Sequence, residues 1–565
     1  MIARILAYKG FTDIEDIRNF LNPSLRQLPR PQLLKGMAEA VPIMQQALKH
    51  QKPVTVFGDF DADGVSSTAL LSLFFRELGV RLHFYIPDRL TEGYGLNLGA
   101  IRKIYEHNTQ RWGEAGILIT VDCGISDVEV VEEAITRGFS VIITDHHRPP
   151  GRLPRAHAII NPLQSGCPFP FKNLAGVGVA FYLILGMRAD LVANEYWPED
   201  RIPNLKSYMD LVAIGTVADQ VPLSECNRIL VKAGLEILNQ CNRVGLQKLL
   251  DNARNYDTTI NVEDIAFRMA PRINAAGRIG SAHKALKLMT TNVPEEAEQY
   301  ADELEEANAA RKGIENRIFE QAAEMASPEM LANENSLVLY NSDWHQGVLG
   351  IVASRLSDHF NRPTILLTDY SDGEESREVT FMKGSGRSVN GLDIHRAVTE
   401  CQEVLERFGG HEGAVGLTML PRDFDCFRTL FDRAIATQKS TKKLPAASTL
   451  MLDGAISLQE LGDSKFLAAY SMLSPFGRGN EEPVFYMKGQ KLLNMREVGR
   501  NHLRFTVQDN GRFMSGIGFN LAHHLPLAQN NLVDLAFTLR FKSYRGNDSW
   551  EIHLLDIKPA GESNL

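Results

Sequence analysis

Four nearly unbroken apolar runs, at residues 54–57, 82–86, 117–121 and 141–144, alternate with stretches of helical periodicity such as 65–78 and 128–137. Strands that are apolar on both faces and separated by helices read as βαβ units around a buried parallel sheet. Residues 1–50 predict short helices with proline-rich joints at Pro29 and Pro31, a brace segment ahead of the first strand. Over 294–330 the pattern predicts one long connecting helix. It opens with Pro294, and Glu295, Glu296, Glu298, Asp302 and Glu303 crowd its start, as suits the positive end of a helix dipole. A second α/β section covers 331–437, with strands near 336–340 and 364–368 around a helix at 348–360. Its acidic stretch 372–378 reads as a solvated turn. Residues 436–449 are polar and carry a proline, the signature of a linker. Strand candidates at 485–488, 503–508, 513–519, 535–543 and 550–555 then suggest a small barrel of the OB kind over 445–565. The expected class is α/β: two α/β lobes joined by a long helix, with a C-terminal β-barrel.

A chain of 565 residues holds roughly four folding units at about 150 residues each. With 44% hydrophobic and 23% charged residues, its composition is ordinary for globular proteins. Sixty Lys and Arg against 69 Asp and Glu leave a net charge of −9, which excludes a uniformly basic coat. A polyanionic substrate must be met by a local patch or by metal. Six cysteines form no C-x-x-C pair, which argues against zinc ribbons and thioredoxin-type chemistry. No signal-type apolar segment and no run of about 20 apolar residues is seen, so a cytoplasmic protein without a membrane span is expected.

The chemistry-bearing residues follow the strands. Asp59-Phe60-Asp61-Ala62-Asp63-Gly64 comes after the first, Asp122-Cys123-Gly124 after the third and Asp145-His146-His147 after the fourth. Gly215-Thr216-Val217-Ala218-Asp219 closes a helical run. In open α/β sheets the carboxyl ends of strands line one crevice, which would gather these groups. Like charges there repel and raise one another's pKa, and divalent cations relieve the repulsion. Oxygen ligands with one or two imidazoles suit Mn²⁺ or Mg²⁺ better than Zn²⁺. An EF-hand is excluded, because position 12 of such a loop would be Leu70 rather than glutamate.

In this order the motifs resemble those of the DHH phosphoesterase superfamily. R-I-N-A-A-G-R (272–278), H-Q-G-V-L-G-I-V-A-S-R-L (345–356), G-S-G-R-S (384–388) and G-G-H-E-G-A-V-G (409–416) are similar, as a set, to motifs of its RecJ family of single-strand-specific 5′→3′ DNA exonucleases. The resemblance implies a DHH catalytic domain at 51–293, a DHH-associated domain at 331–437 and an OB-fold nucleic-acid-binding domain at 445–565. It implies two divalent metal ions, Mn²⁺ or Mg²⁺, one held by Asp59, Asp63 and Asp122 and the other by Asp61, Asp122, His146 and Asp219. His147 would face the scissile phosphate with help from Arg278, and Asp145 would support the cluster. Superfamily members with a histidine four residues before the first Asp have Thr55 as their counterpart here, a place that Asp63 would fill. Arg89, Ser385 and Arg387 would form a pocket for a terminal 5′-phosphate, while His411 divides evenly between substrate contact and lobe bridge.

In the last domain Lys488, Lys491, Arg496, Arg500, Arg504 and Arg512, against Glu497 and Asp509, suit a phosphate backbone. Phe505, Phe513, Phe519, Tyr544 and Trp550 offer stacking surfaces or barrel core. The expected function is two-metal hydrolysis of single-stranded DNA from its 5′ end to 5′-mononucleotides, in recombination and repair. Single-stranded-DNA-binding protein and a DNA helicase are the implied partners. The alternatives are a nano-RNase or phosphodiesterase for short oligonucleotides or cyclic dinucleotides, and a non-catalytic replication scaffold.

Overall fold

The computed structural model describes residues 1–194, 201–253, 259–370, 381–389, 391–441, 449–499, 501–529, 531–544 and 547–561. Its first sheet is wholly parallel: β1 (Val54–Gly58), β2 (Leu82–Tyr85), β3 (Ile117–Val121), β4 (Ser140–Thr144) and β5 (Ala158–Ile160) lie in the order β2-β1-β3-β4-β5. Every residue of β1 and β3 is buried, which is why their sequences run apolar instead of alternating. The sheet separates two cores. Val54, Val56 and Ile119 face the helices Ala62–Glu77 and Gly176–Ala193. Phe57, Leu118 and Ile143 face Leu98–Trp112 and Val128–Thr136.

Among the described residues one helix, Gly176–Ala193, is long and apolar enough by length and composition to cross a membrane. Here it lies in the catalytic core, with 67% of it buried.

The helix Pro294–Met325 spans both lobes. Its Ala297, Ala301 and Leu304 belong to the catalytic core, whereas Ile318 and Ala322 pack with Leu339, Val352 and Leu366 of the second lobe. That lobe is built on β6 (Leu337–Tyr340), β7 (Thr364–Tyr370), β8 (Phe381–Arg387), β9 (Arg407–His411) and β10 (Ala414–Met419), in the order β6-β7-β8-β10-β9. Only β6 and β7 pair in parallel. The linker expected at 436–449 is corrected in part: residues 436–441 complete the helix Phe424–Thr441, whose Phe427, Phe431 and Ile435 anchor it in the lobe's core. Residues 442–448 and the acidic stretch 372–378 lie outside the described residues.

Among the described residues the C-terminal domain has a seven-stranded sheet, against the five or so strands expected: β11 (Gly454–Ala455), β12 (Phe485–Gln490), β13 (Leu492–Val498), β14 (His502–Asp509), β15 (Arg512–Gly518), β16 (Val533–Tyr544) and β17 (Asn547–Pro559). Its core also contains Ile5 and Leu6 from the helix Ile2–Tyr8, and Phe11, Ile17, Phe20 and Leu21 pack against it. The N-terminal segment therefore divides between domains, because Met37, Ala40 and Met44 of the helix Met37–Lys49 belong to the catalytic core.

Arg228, only 2% exposed on the helix Glu225–Leu238, ties the pieces together. It donates to the carbonyls of Phe20 (3.1 Å), Met472 (2.9 Å), Leu473 (2.9 Å) and Pro475 (3.4 Å), and its guanidinium carbon stands 3.9 Å from the centre of the Phe20 ring.

Candidate metal centre and anion pocket

The chain leaves each central strand through a turn that sets acids over the sheet edge. After β1, Asp59 accepts a hydrogen bond from the Phe60 N–H (2.7 Å). Asp61 caps the helix Ala62–Glu77, accepting from the N–H groups of Asp63 and Gly64 (3.0 Å each). The Ala62 N–H donates to Asn274 Oδ1 (2.7 Å), from a helix distant in sequence. After β3, Asp122 takes a left-handed backbone with φ 62°, uncommon outside glycine, while its N–H still donates to the Thr144 carbonyl (3.0 Å). After β4, Asp145 accepts from the N–H groups of Ile125, His146 and His147 and from His147 Nδ1 (2.8 Å), so it orients rather than offers free oxygens. Asp219 ends the helix Met209–Ala218. Thr55 accepts from the Asn108 side-chain amide (3.0 Å).

Glycines make room for the acids. A Cβ on Gly176 would lie 2.6 Å from Asp122, and one on Gly215 would lie 2.7 Å from Asp63 Oδ1.

Among the described residues three sets of potential ligand atoms each fall within 4.8 Å: Asp59, Asp61 and Asp122; Asp63, His146 and Asp219; and Asp122, His146 and His147. This grouping differs from the one implied by resemblance, since Asp61 sits with Asp59 while Asp63 sits with His146 and Asp219. Asp63 also accepts from the N–H groups of Gly176 (2.6 Å) and Val177 (2.8 Å), which makes it a cap for the helix Gly176–Ala193.

Burial, followed by the neighbouring carboxylates, pushes Asp59 and Asp122 well above the usual carboxylate range, Asp63 to about 7 and Asp219 to about 9. Burial and then the charge of His147 lower His146 to about 4, leaving a neutral imidazole. Burial alone would also lower His147, but the hydrogen bond and charge of Asp145 outweigh it and raise His147 to about 9.

The residues fit divalent metal. Asp122 Oδ1 and His146 Nε2 are buried without a hydrogen-bond partner among the described residues and face each other at 3.1 Å. Two adjacent ligands of one octahedral cation, each at about 2.1 Å, stand about 3.0 Å apart.

A second cluster is cationic. Arg89 lies over the Phe60 ring at 4.9 Å and is held charged against burial by Asp59 and Asp61. Arg278, in the last turn of the helix Ala270–Ile279, donates to the Gly347 carbonyl of the second lobe (3.2 Å), and burial lowers it to about 10. On β8, Lys383, Ser385 and Arg387 share one face, opposite the buried Met382, Gly384 and Gly386. Arg387 donates to Ser385 Oγ (3.4 Å) and to the Gly386 carbonyl (2.8 Å). A Cβ on Gly350 would stand 2.9 Å from both Arg387 Nη2 and Ser385 Oγ. Arg89 acts on Arg278 and Arg387 as a like charge, so guanidiniums from both lobes share one crevice.

His411 stands further out. It is exposed at the end of β9, in register with Arg387 only through Ala414, and its Nδ1 accepts from the Gly413 N–H (3.1 Å). No hydrogen bond or ion pair ties it to the catalytic lobe among the described residues.

Sequence reasoning passed over Asn274, Lys383 and Tyr94. Tyr94 is 58% exposed and meets Phe60 and His147 edge-on, each with ring centres 6.2 Å apart. Its signal was the flanking pair Gly93 and Gly95, both at positive φ.

In the C-terminal domain Arg496 and Arg504 lie directly opposite on β13 and β14. Arg496 is exposed, whereas Arg504 is paired to the buried Glu551 (2.6 Å). Arg500 and the side chain of Tyr544 lie outside the described residues. Phe513 and Phe519 are exposed, Trp550 is half-buried and Phe505 belongs to the core.

A parallel sheet whose strand ends gather acids and imidazoles, opposed by a cationic second lobe, defines a metal-dependent phosphoesterase of the DHH class. The model of the DHH family N-terminal domain matches residues 53–216, that of the DHHA1 domain 333–437 and that of the RecJ OB domain 452–556. The chain belongs to the RecJ family.

It is 35% identical to the single-stranded-DNA-specific exonuclease RecJ of Escherichia coli, over 99% of this chain and 96% of that protein. The Bacillus subtilis RecJ is 36% identical over 92% of this chain, which spans 63% of that longer protein. The crystal structure of Thermus thermophilus RecJ in complex with Mn²⁺ aligns with a TM-score of 0.77 at 29% identity, covering 99% of this chain and 75% of that one.

Proposed function

We propose that this chain is a single-strand-specific DNA exonuclease that hydrolyses phosphodiester bonds from the 5′ end and releases 5′-mononucleotides, in recombination and repair. One observation carries the reading. The Arg89 guanidinium lies 4.9 Å over the ring of Phe60, the residue between Asp59 and Asp61, and acts as a like charge on Arg387 of the second lobe, which supports a ligand cluster and an anion pocket that adjoin. A strand whose 5′-phosphate sits among Arg89, Ser385 and Arg387 then presents its first diester to the cluster.

Asp59, Asp61, Asp63, Asp122, His146 and Asp219 are the residues that would hold Mn²⁺ or Mg²⁺, ions that polarise a phosphoryl oxygen and activate water. His147, charged at neutral pH and locked by Asp145, donates toward phosphate oxygens as charge develops on them, and Arg278 adds a second donor. Arg496 and the exposed Phe513 and Phe519 extend the path along the strand, a feature suited to long single strands rather than dinucleotides. Single-stranded-DNA-binding protein and a helicase are the proposed partners.

The test is Asp122→Ala. Release of mononucleotides from a 5′-phosphorylated single strand in Mn²⁺ is expected to vanish, while oligonucleotide binding followed by anisotropy persists. Turnover at the wild-type rate would sink the assignment.

A further inference from the structure

The C-terminal domain reaches the metal centre through one tight turn. Gly477 and Asn480 exchange backbone hydrogen bonds (3.0 Å each way), which leaves Arg478 and Gly479 at the tip, with Gly479 at φ 74°. The Asn480 side-chain amide locks the base by donating to the carbonyls of Leu473 (2.9 Å) and Pro475 (2.8 Å). The tip presses on the segment that follows Asp219. The Leu223 N–H donates to the Arg478 carbonyl (2.7 Å). A Cβ on Gly477 would stand 2.7 Å from Leu223 Cδ1, and one on Gly479 would stand 2.9 Å from Pro222 Cβ. Glycine on both sides of Arg478 lets its backbone approach the catalytic lobe this closely.

The Arg478 side chain, by contrast, is left open. It is exposed, no carboxylate pairs with it among the described residues, and its one hydrogen bond there runs from Nη1 to the Gln220 carbonyl at 3.5 Å. A guanidinium has five N–H donors, so most of them stay available. Gln220 directly follows Asp219, which shares a ligand set with Asp63 and His146 and lies 3.6 Å from His146 Nε2. Burial and then Asp63 and Asp61 raise Asp219, and the Arg478 charge is among those that oppose them. Arg89 adjoins the other ligand set, over the ring of Phe60. Each set thus has its own arginine, one from the catalytic lobe and one from the C-terminal domain.

A strand held by its 5′-phosphate beside Arg89 carries its first diester over the cluster and its next phosphates past the Asp219 side. A backbone phosphate there approaches carboxylates, and like charges at close range repel. A guanidinium offsets that repulsion and grips two phosphate oxygens at once, without reading the base.

We propose that Arg478 is a substrate-binding residue that holds a backbone phosphate on the 3′ side of the scissile bond, so that the C-terminal domain completes the binding track at the metal centre itself. The inference rests on the 5′-end exonuclease reading and adds a contact to the strand beyond the cut.

Full-length wild type, Arg478→Met and Arg478→Lys are compared in Mn²⁺ on one 5′-phosphorylated single strand, and on a set in which a single linkage beyond the first is an uncharged methylphosphonate. Release of the first mononucleotide gives kcat/KM, and melting temperature is recorded for each protein. On the unmodified strand Arg478→Met is expected to lose about tenfold or more, mainly through KM, as for loss of a charge-assisted hydrogen bond, and Arg478→Lys to recover part of it. One uncharged linkage should cost wild type a similar factor and cost Arg478→Met nothing further, because the contact is already gone. Losses that multiply independently at every linkage would overturn the proposal. So would a wild-type linkage profile with a lower melting temperature, the mark of a residue that only joins the turn to Gln220. If wild type releases no mononucleotide from the 5′ end, the exonuclease reading itself fails, and this proposal with it. Normal digestion by wild type beside an unimpaired Arg478→Met defeats the proposal alone.

Discussion

Asp63 carries two tasks that the sequence could not separate. Its place in an acidic motif marked it as a metal ligand, yet both of its oxygens also cap a helix that begins 113 residues later. The acids themselves were legible because they follow apolar strands. The cap was not, because nothing near Asp63 announces Gly176. An asparagine offers only one acceptor oxygen, so Asp63→Asn should destabilise the metal-free protein by about 1–3 kcal/mol, read by urea unfolding in chelator. It should also weaken Mn²⁺ binding by calorimetry. Unaltered metal-free stability would dismiss the cap.

Glu482 gives a pH test away from the site. It accepts from the Tyr470 hydroxyl (3.0 Å), and burial raises it from 4.5 to about 7. Between those values the folded protein holds a proton that the unfolded chain has released. Its contribution is thus fully present below pH 4.5 and is lost as pH rises toward 7. Glu482→Gln is expected to leave melting unchanged at low pH and to raise the melting temperature at pH 8; no gain at pH 8 would refute the buried, protonated state.

Among the elements, the central strands and the long helix Pro294–Met325 could be read directly, since each declares itself within its own residues. The short β5 and β11 could not be, because two or three residues carry no period and become strands only through a neighbour. The helices Ile2–Tyr8 and Ile14–Leu21 were legible as helices but not as part of a domain that begins more than 400 residues later. Nothing in the residues around Arg228 announces its partners, which lie 208 residues before it and 244–247 residues after it. Arg228 satisfies the carbonyls at the end of the helix Ser464–Met472 and holds Phe20 beside them. Arg228→Met removes the donor from the Phe20 and Met472 carbonyls, at about 1–3 kcal/mol each where they stay buried, while Leu473 and Pro475 keep the Asn480 side-chain amide. The expected result is a lower melting temperature and faster proteolysis near residue 449, and a wild-type digestion pattern would contradict it.

At the scale of the whole molecule, the net charge of −9 is distributed unevenly. Residues 445–565 carry 12 basic and 12 acidic groups, so the excess acid lies elsewhere, part of it in the ligand cluster. Within the C-terminal domain the two opposed arginines differ in role. Arg504 is already engaged by Glu551, and Arg496 is free to meet phosphate. Arg496→Glu should raise KM on long single strands and reduce the salt slope of binding by about 1, with little effect on very short ones. Equal effects at both lengths would count against a strand-tracking surface.

The packing of Ile5 and Leu6 into the C-terminal core also sets a schedule for synthesis. Their partners Ile456, Leu458 and Phe485 leave the ribosome about 450 residues later, roughly 20–90 s at about 5–20 residues per second. Throughout that interval the helix Ile2–Tyr8 has an apolar face and lacks the core that receives it. The apolar residues of that helix are therefore covered only once the C-terminal domain has been made.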